Sequence, residues 1–274
     1  MPPRRAYVET TIIADALLKP GNPKCVAARA ALKRYDETLL PVYAIKEFKA
    51  GIMKHYAYFH EKLVQTKSLS RTVQVIAALP DQFHRYKKNT SLEALAAAIH
   101  LGALRPSSGA TAVSADEDRE LADRYRLAIA SLLVRSWRKR RELTTQTVQD
   151  LDCYTESPPV LGTSGFFDLK PLNCDPKGEC SLADALRARP ELLTKMAEAI
   201  PSSSLRQEDV KRRQVLRDLV RLKKHQYGLT PDRCRALGDA IFAFFAPSDS
   251  VVLTTNWKDH QPLANALGKA AEKP

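Results

Sequence analysis

The sequence predicts an α/β fold: a parallel β-sheet domain flanked by helices, with a large and mainly helical insertion. Three observations support this prediction. Residues 5–9, near the start of the chain, and residues 250–255, near its end, are short β-prone runs. The second run, SVVLTT, is rich in β-branched residues and has no polar interruption, which is typical of a strand buried on both faces of a parallel sheet. Residues 63–227 carry almost no strand signal and are dominated by helical patterns.

The two ends of the chain are expected to fold together. Neither end has enough predicted strands to bury one face of a sheet by itself. We therefore divide the chain into a discontinuous α/β domain, residues 1–62 and 228–274, and a mainly helical insertion, residues 63–227.

Apolar spacing and helix-capping residues give the order of the elements. The N-terminal part is predicted to hold strands at 5–9 and 38–42 and helices at 12–18, 24–35 and from residue 44 to 63. In the C-terminal part, Thr230 and Pro231 begin a helix that ends near Phe245; a strand at 250–255, a loop at 256–259 and a helix at 262–269 follow. The insertion is predicted to hold helices at 72–79, 91–101, 118–141, 181–187, 190–200 and 208–225.

The charge balance indicates an anionic partner. The chain has 274 residues with 43 Lys and Arg against 31 Asp and Glu, a formal net charge of +12, and nucleic acid is the first candidate for such a protein. Five cysteines, an odd number spread along the chain, favour a reducing cytosol. No apolar run approaches the roughly 20 residues that span a bilayer. We therefore expect a cytoplasmic protein with no membrane partner, and the sequence has no zinc-protease, serine-hydrolase or P-loop motif.

Acidic and amide side chains follow the predicted strands, where open parallel sheets bind their ligands. Glu9 ends the first strand, and Asn256 and Asp259 lie in the loop after the last one. Glu47 lies on the first turns of the long helix, and Asp239 lies in the helix that precedes the last strand. Clustered carboxylates with few His or Cys favour Mg²⁺ or Mn²⁺. Any one of these residues alone is more often a solvated or helix-capping residue, so the prediction depends on the ordered set.

Four segments, in this order, resemble the motifs of the PIN domain, a family of metal-dependent ribonucleases. The resemblance covers roughly residues 5–60 and 228–270 and does not extend to the middle of the chain. It matches Glu9, Glu47 and Asp239 to acidic positions of the family. The segments are VETTIIADALL at 8–18, PVYAIKEFKAG at 41–51, GDAIFA at 238–243, and VLTTNWKD at 252–259 followed by Pro262 and Leu263.

The resemblance implies a PIN-like domain that hydrolyses phosphodiester bonds of RNA with Mg²⁺ or Mn²⁺, as an endoribonuclease. It implies that Glu9, Asp239 and Asp259 hold the metal. Glu47 would ligate a metal or orient the attacking water, and Asn256 would position a carboxylate or a phosphate. Because family members often act as the toxin of a toxin–antitoxin pair, the resemblance also implies an inhibitory protein partner.

The sequence departs from the family pattern in ways that favour a second interpretation. Glu9 and Thr11 stand where the family has Asp and Asn, and His260 stands where it usually has Phe. Glutamate keeps the charge but places the carboxylate one methylene further from the backbone. The alternative is therefore a catalytically weakened PIN-like module that binds nucleic acid or a protein.

Two basic clusters on predicted helices are candidate nucleic-acid contacts, because Lys and Arg side chains suit phosphate contact. Basic runs are also common on solvated helix faces, and basic residues near a helix C-terminus stabilise its dipole, so both interpretations remain open. The first cluster is Arg138, Lys139, Arg140 and Arg141 in the predicted helix 118–141. The second is Lys211, Arg212, Arg213 and Arg217 in the predicted helix 208–225.

Overall fold

The fold is known from a computed structural model. It describes residues 3–17, 21–80, 91, 114–151, 154, 156–169, 180–201, 203–204, 206–222 and 229–274. The predicted helix at 91–101 lies outside the described residues except for its first residue.

A five-stranded parallel sheet organises the described chain. Its strand order is β3-β2-β1-β6-β7, so β1 is central, and a separate antiparallel pair is formed by β4 and β5. Ala6 of the central strand pairs with Thr38 on one side, and Val8 pairs with Leu253 on the other. The strands are β1 (Arg5–Val8), β2 (Glu37–Pro41), β3 (Gln146–Val148), β4 (Val160–Leu161), β5 (Phe167–Asp168), β6 (Ser250–Leu253) and β7 (Ala270–Glu272).

Helices cover the sheet and make up most of the middle of the chain. They are α1 (Thr10–Ala16), α2 (Pro23–Leu32), α3 (Val42–Phe48), α4 (Lys54–Thr66), α5 (Leu69–Ala77), α6 (Ala115–Lys139), α7 (Ser181–Arg187), α8 (Pro190–Ala199), α9 (Gln207–Arg221), α10 (Pro231–Ala236), α11 (Gly238–Phe245) and α12 (Trp257–Ala266). The prediction of an α/β fold with a helix-flanked parallel sheet and a helical segment is confirmed. None of the helices in the described ranges has both the length and the apolar character needed to cross a bilayer.

The segment predicted to be a helical insertion also contributes a strand to the main sheet. β3 pairs in parallel with β2, and Thr145 and Thr38 exchange side-chain and backbone hydrogen bonds of 2.9 and 3.0 Å beside this pair. β3 and β7 each have only three residues, and all of these are partly or fully exposed. Edge strands this short have no alternating apolar pattern, which explains why the sequence did not predict them.

Two helix boundaries differ from the prediction in ways that affect the site. The long helix predicted from residue 44 is divided by a π-helical turn, Lys49–Met53, between α3 and α4. Turns of this type interrupt α-helices and are frequent near functional sites. The last helix begins at Trp257, with Pro262 inside it, and not at Pro262. Asp259 therefore lies in the first turn of α12, where we had expected a loop.

The core beneath the sheet's carboxyl edge is aromatic and closely packed. Tyr7 and Phe242 are buried, and their rings meet edge to face with centroids 6.2 Å apart. Tyr43 contacts the same Phe242 ring at 5.4 Å and His260 contacts it at 5.6 Å. Phe242 of α11 thus contacts β1, α3 and α12, and these four elements carry or directly precede the candidate site residues.

Candidate functional site

The acidic side chains lie where the strand order of the sheet reverses. From β1 the chain proceeds to β2 on one side, whereas β6, which follows much later, lies on the other side. Ligands of such sheets bind in the crevice outside the carboxyl ends of the strands at this reversal. Glu9 directly follows β1, and Thr254 directly follows β6. We call Glu9, Glu47, Asp239 and Asp259 the acidic site.

Glu9 is the most deeply buried carboxylate of the acidic site, with 5% of its surface exposed. Its backbone N–H donates to the carbonyl of Leu253 at 3.0 Å, which anchors it between the two strands. Its side chain accepts hydrogen bonds from the hydroxyls of Thr11 and, at 3.2 Å, Thr254. Burial raises the pKa of Glu9, and the charge of Asp239 raises it further; His260 and the Thr11 hydrogen bonds oppose this shift.

Glu47 points from α3 towards Glu9 and the start of α11. The hydroxyl of Thr10 donates a 2.7 Å hydrogen bond to its carboxylate. A Cβ atom at Gly238 would lie 3.0 Å from Oε1 of Glu47, so the backbone of α11 approaches this carboxylate as closely as glycine allows. Burial together with the negative charges of Glu9 and Asp239 raises the pKa of Glu47 to about 7.

Asp239, in the first turn of α11, lies between an arginine and a histidine. Arg212 of α9 donates to one of its carboxylate oxygens, and Nε2 of His260 lies 3.1 Å from the other. Burial alone would raise the pKa of Asp239, but contact with His260 and the charges of His260 and Arg212 outweigh it and hold this pKa below its usual value.

Asp259 has a comparable arrangement at the start of α12. The side-chain amide of Asn256 donates to its carboxylate at 2.8 Å. Arg206 makes a two-pronged contact through both terminal guanidinium nitrogens, one of them at 3.0 Å. The hydrogen bond from Arg206 is the largest of the effects that lower the pKa of Asp259.

Several residues of the site were not predicted from the sequence. Thr10 and Thr254 hold the two glutamates, and Arg206 and His260 contact the two aspartates. His260 had been noted only as a departure from the family pattern. It is buried, and although burial lowers its pKa, the charges of Asp239, Glu9 and Glu47 and the contact with Asp239 raise it overall. In the sequence, only the position of His260 directly after Asp259 indicates that it belongs to the site. No sequence feature indicates this for Arg206.

The basic clusters divide into buried and exposed residues. Arg140 is buried against the Trp137 ring, with its guanidinium carbon 3.4 Å from the ring centroid, and pairs with Glu156. Arg212 is buried against Asp239. Neither of these two guanidinium groups lies on an open surface, which differs from the expectation of solvent-facing phosphate contacts.

The other members of the basic clusters are accessible to different degrees. Arg141 is exposed and pairs with Glu156 at 3.0 Å, and Arg213 is partly exposed and donates to the carbonyl of Pro201 at 2.7 Å. Lys139 is partly exposed, and the remaining three are exposed: Arg138, Lys211 and Arg217.

The acidic site fits a divalent cation in its donor chemistry but not in its present arrangement. Carboxylate oxygens are the donors that Mg²⁺ and Mn²⁺ prefer, and the pKa values of Glu9 and Glu47 are raised by burial first and by neighbouring carboxylates second. Among the described residues, however, no three His, Cys, Asp or Glu side chains are arranged to hold one metal ion. Oxygens of Asp239 and Asp259 are bound by the two arginines instead.

A cavity of 320 Å³ opens beside Asp239 and Asp259. Its walls carry both signs of charge, so it is a site for polar and not for apolar ligands. It is lined by Glu208, Lys211, Arg212, Asp232, Arg235, Ala236, Asp239, Asn256 and Asp259.

Comparison with known proteins gives no relative. The chain matches no protein-family model, no curated protein and no solved structure. Its function must therefore be inferred from the side chains of the site and their chemistry.

Proposed function

We propose that the protein is a PIN-like nuclease that hydrolyses phosphodiester bonds of RNA with the help of Mg²⁺ or Mn²⁺. One observation carries the proposal: Glu9, Glu47 and Asp239 lie together at the strand-order reversal, close enough for the charges of Glu9 and Asp239 to raise the pKa of Glu47. Burying such a group of carboxylates is costly unless positive charge compensates it. The order of the motifs and the basic net charge of +12 support a polyanionic substrate.

Each side chain has a role that its surroundings suit. Glu9, Asp239 and Asp259 would hold the cation, which stabilises negative charge on the phosphate oxygens when bound. Glu47, with a pKa of about 7, can hold or release a proton near neutral pH and is the candidate for orienting and deprotonating the attacking water. Asn256 fixes the carboxylate of Asp259 through its amide.

The test is cleavage of a mixed single-stranded RNA pool with and without Mn²⁺, combined with thermal unfolding under both conditions. Wild-type protein should cleave only with metal and should be stabilised by it. Asp239→Asn should lower the rate about 100-fold or more, because loss of a cation ligand removes several kcal/mol of transition-state stabilisation. Asp116→Asn, at an exposed residue in the first turn of α6, is the matched control and should keep the wild-type rate.

A second candidate function is a PIN-like module that binds nucleic acid or a protein without cleaving. Arg206 and Arg212 already compensate Asp259 and Asp239, which favours this alternative because these two carboxylates then need no cation. If wild-type protein neither cleaves RNA nor gains stability with Mn²⁺, the nuclease proposal fails and this alternative replaces it. An inhibitory protein partner belongs to the first candidate, since a cell needs protection only from an active nuclease.

A further inference from the structure

We propose that a groove between α6 and the antiparallel pair β4–β5 binds single-stranded RNA, and that it does so without a metal ion. The groove lies outside the four matched segments, and its described lining shares no residue with the acidic site. The inference rests on the proposed function for its choice of RNA, and it assigns a second contact surface for that substrate.

The groove is a cavity of 580 Å³ whose walls come from two parts of the chain. One wall is the C-terminal half of α6. The other is the β4–β5 pair together with Pro159, which directly precedes β4. Cavities of about 300–1,000 Å³ are typical of ligand sites, so the groove has room for a base with its sugar and phosphate.

The apolar part of the groove is open to solvent. Val134 of α6 and Phe167 of β5 are partly exposed, and Leu161 of β4 has 51% of its surface exposed. A ligand that covers these side chains removes apolar surface from water, which favours binding. Unpaired bases have apolar, aromatic faces that pack on such surfaces in proteins that bind single strands.

The basic side chains of the groove have no counterion in the part of the chain that the structure describes. Arg124, earlier in α6, pairs with Glu120. By contrast, no described carboxylate forms an ion pair with the three basic residues that line the groove, which are Arg135, Arg138 and Lys139. Their charges are therefore available to an anion from solution.

Stabilisation of the helix dipole does not account for all three basic residues. Cations stabilise a helix within its last turn, which includes Arg138 and Lys139, but Arg135 precedes this turn. Three basic residues against one acidic residue of the described lining, Glu142, give the groove a formal charge of +2. Positive charge beside an apolar wall matches a single strand, which presents phosphates and unpaired bases together, whereas a duplex turns its bases inwards.

Lys49 connects the groove to the helix that carries Glu47. It lies in the π-helical turn that follows α3, and its Nζ donates to the carbonyl and hydroxyl oxygens of Ser157 at 2.9 and 2.8 Å. The same Nζ lies 5.6 Å from the centroid of the Trp137 ring. Trp137 directly precedes Arg138 of the groove, and Ser157 lies on the segment that leads into β4. A strand held in the groove is therefore one layer of contacts away from the end of α3.

The experiment measures RNA binding by fluorescence anisotropy in EDTA, so that neither cleavage nor metal binding contributes. The two probes are a short unstructured single strand and the duplex of that strand with its complement. The phosphate-contact variant combines Arg135→Gln with Arg138→Gln, and the base-contact variant is Leu161→Asn. All three side chains are exposed, so both variants are expected to fold, which circular dichroism checks.

The double arginine variant should bind the single strand about fifteenfold more weakly at about 0.15 M salt. Each lost phosphate contact costs about fourfold under this condition and lowers the slope of log affinity against log salt concentration by about 0.7 in magnitude. Arg119→Gln is the control and should bind like wild type. Arg119 is exposed and lies in the same helix, about 24 Å before Arg135 along its axis.

Leu161→Asn should weaken binding of the single strand about fivefold and leave the salt slope unchanged, because it removes apolar surface and no charge. Binding of the duplex should not change, since paired bases do not reach the apolar wall. Val26→Asn, at a valine of α2 that is 56% exposed, is the control and should change neither.

The outcomes separate this inference from the proposed function. If the groove variants bind the single strand like wild type, the inference is refuted, and cleavage with Mn²⁺ still decides the nuclease proposal. A Leu161→Asn variant that keeps wild-type single-strand affinity, or that loses duplex affinity equally, also refutes it. A short acidic amphipathic peptide that binds more tightly than the RNA, and is weakened by the same variants, would assign the groove to a protein partner instead. If the variants behave as expected but wild type does not cleave with Mn²⁺, the nuclease proposal fails and this inference stands.

Discussion

Glu47→Gln should make the protein more stable at pH 8 and leave its stability unchanged near pH 4. The carboxyl of Glu47 has a pKa of about 7 in the folded protein and 4.5 as the ordinary value, so the folded state binds this proton more tightly than the unfolded state. The free energy of unfolding is therefore highest below pH 4.5 and falls as the pH rises towards 7. The variant has no titratable group at this position, so its free energy of unfolding does not decrease for this reason.

The magnitude follows from the two pKa values. At 1.36 kcal/mol for each pH unit, the interval from 4.5 to about 7 corresponds to at most about 3 kcal/mol. Part of the Glu47 side chain is exposed, which screens its charge and reduces this value. A net gain of about 1–2 kcal/mol at pH 8 is expected.

The assay is urea unfolding of both proteins at several pH values between 4 and 8, without divalent cations. The difference between the two proteins cancels the titrations that both share; it includes the coupling of Glu47 to His260, whose raised pKa also removes stability as the pH rises. Glu142→Gln, at an exposed glutamate, is the control and should follow the wild-type curve. If the free energies of unfolding of wild type and Glu47→Gln differ by the same amount from pH 4 to pH 8, the raised pKa of Glu47 is refuted.

Three further predictions concern neighbouring parts of the site. Asp239→Asn should destabilise the protein by about 2–4 kcal/mol in urea, because the buried Arg212 loses the nearer of its two carboxylate partners and keeps only Asp209, at 3.5 Å. An unchanged midpoint would contradict the pairing with Asp239. Gly238→Ala should displace the carboxylate of Glu47, because the new Cβ would lie 3.0 Å from Oε1 of Glu47. The variant should cleave RNA at least tenfold more slowly and keep the wild-type circular dichroism spectrum. A wild-type cleavage rate would show that this contact does not position Glu47. The double variant Arg213→Gln, Arg217→Gln should bind single-stranded RNA with a weaker salt dependence. In a plot of log affinity against log salt concentration, the slope should fall in magnitude by about 0.7 for each phosphate that the protein no longer neutralises. An unchanged slope would make this part of α9 a solvated face.

The central part of the fold could be predicted from the sequence because its signals are local. The uninterrupted run at β6 and the β-prone run at β1 identified the two buried strands, and the predicted helix at 181–187 has the bounds of α7. Strand ends on one side of a parallel sheet meet at one edge, so Glu9, Asn256 and Asp259 were expected near each other. The residue after β6 that the structure brings next to Glu9 is Thr254, which the sequence did not single out.

The remaining parts depend on contacts that leave no periodic pattern. β3 and β7 are paired through three-residue segments in which every residue is partly or fully exposed. The contacts of Arg206 with Asp259 and of Arg212 with Asp239 join positions 53 and 27 residues apart. Nothing in a basic helix indicates which arginine will turn inwards, because burial of a guanidinium is decided by a carboxylate elsewhere in the chain.

The hydrogen bond between Glu9 and Thr254 has a consequence for the synthesis of the chain. It joins residues 245 positions apart, and β1 lies between β2 and β6 at the centre of the sheet. At roughly 5–20 residues per second, a ribosome needs about 12–50 s to proceed from one partner to the other. During that interval the apolar strand β1 lacks one of its two neighbours and is open to aggregation, and the acidic site is incomplete. The Glu9 side chain therefore reaches its final surroundings only after nearly the whole chain has been synthesised.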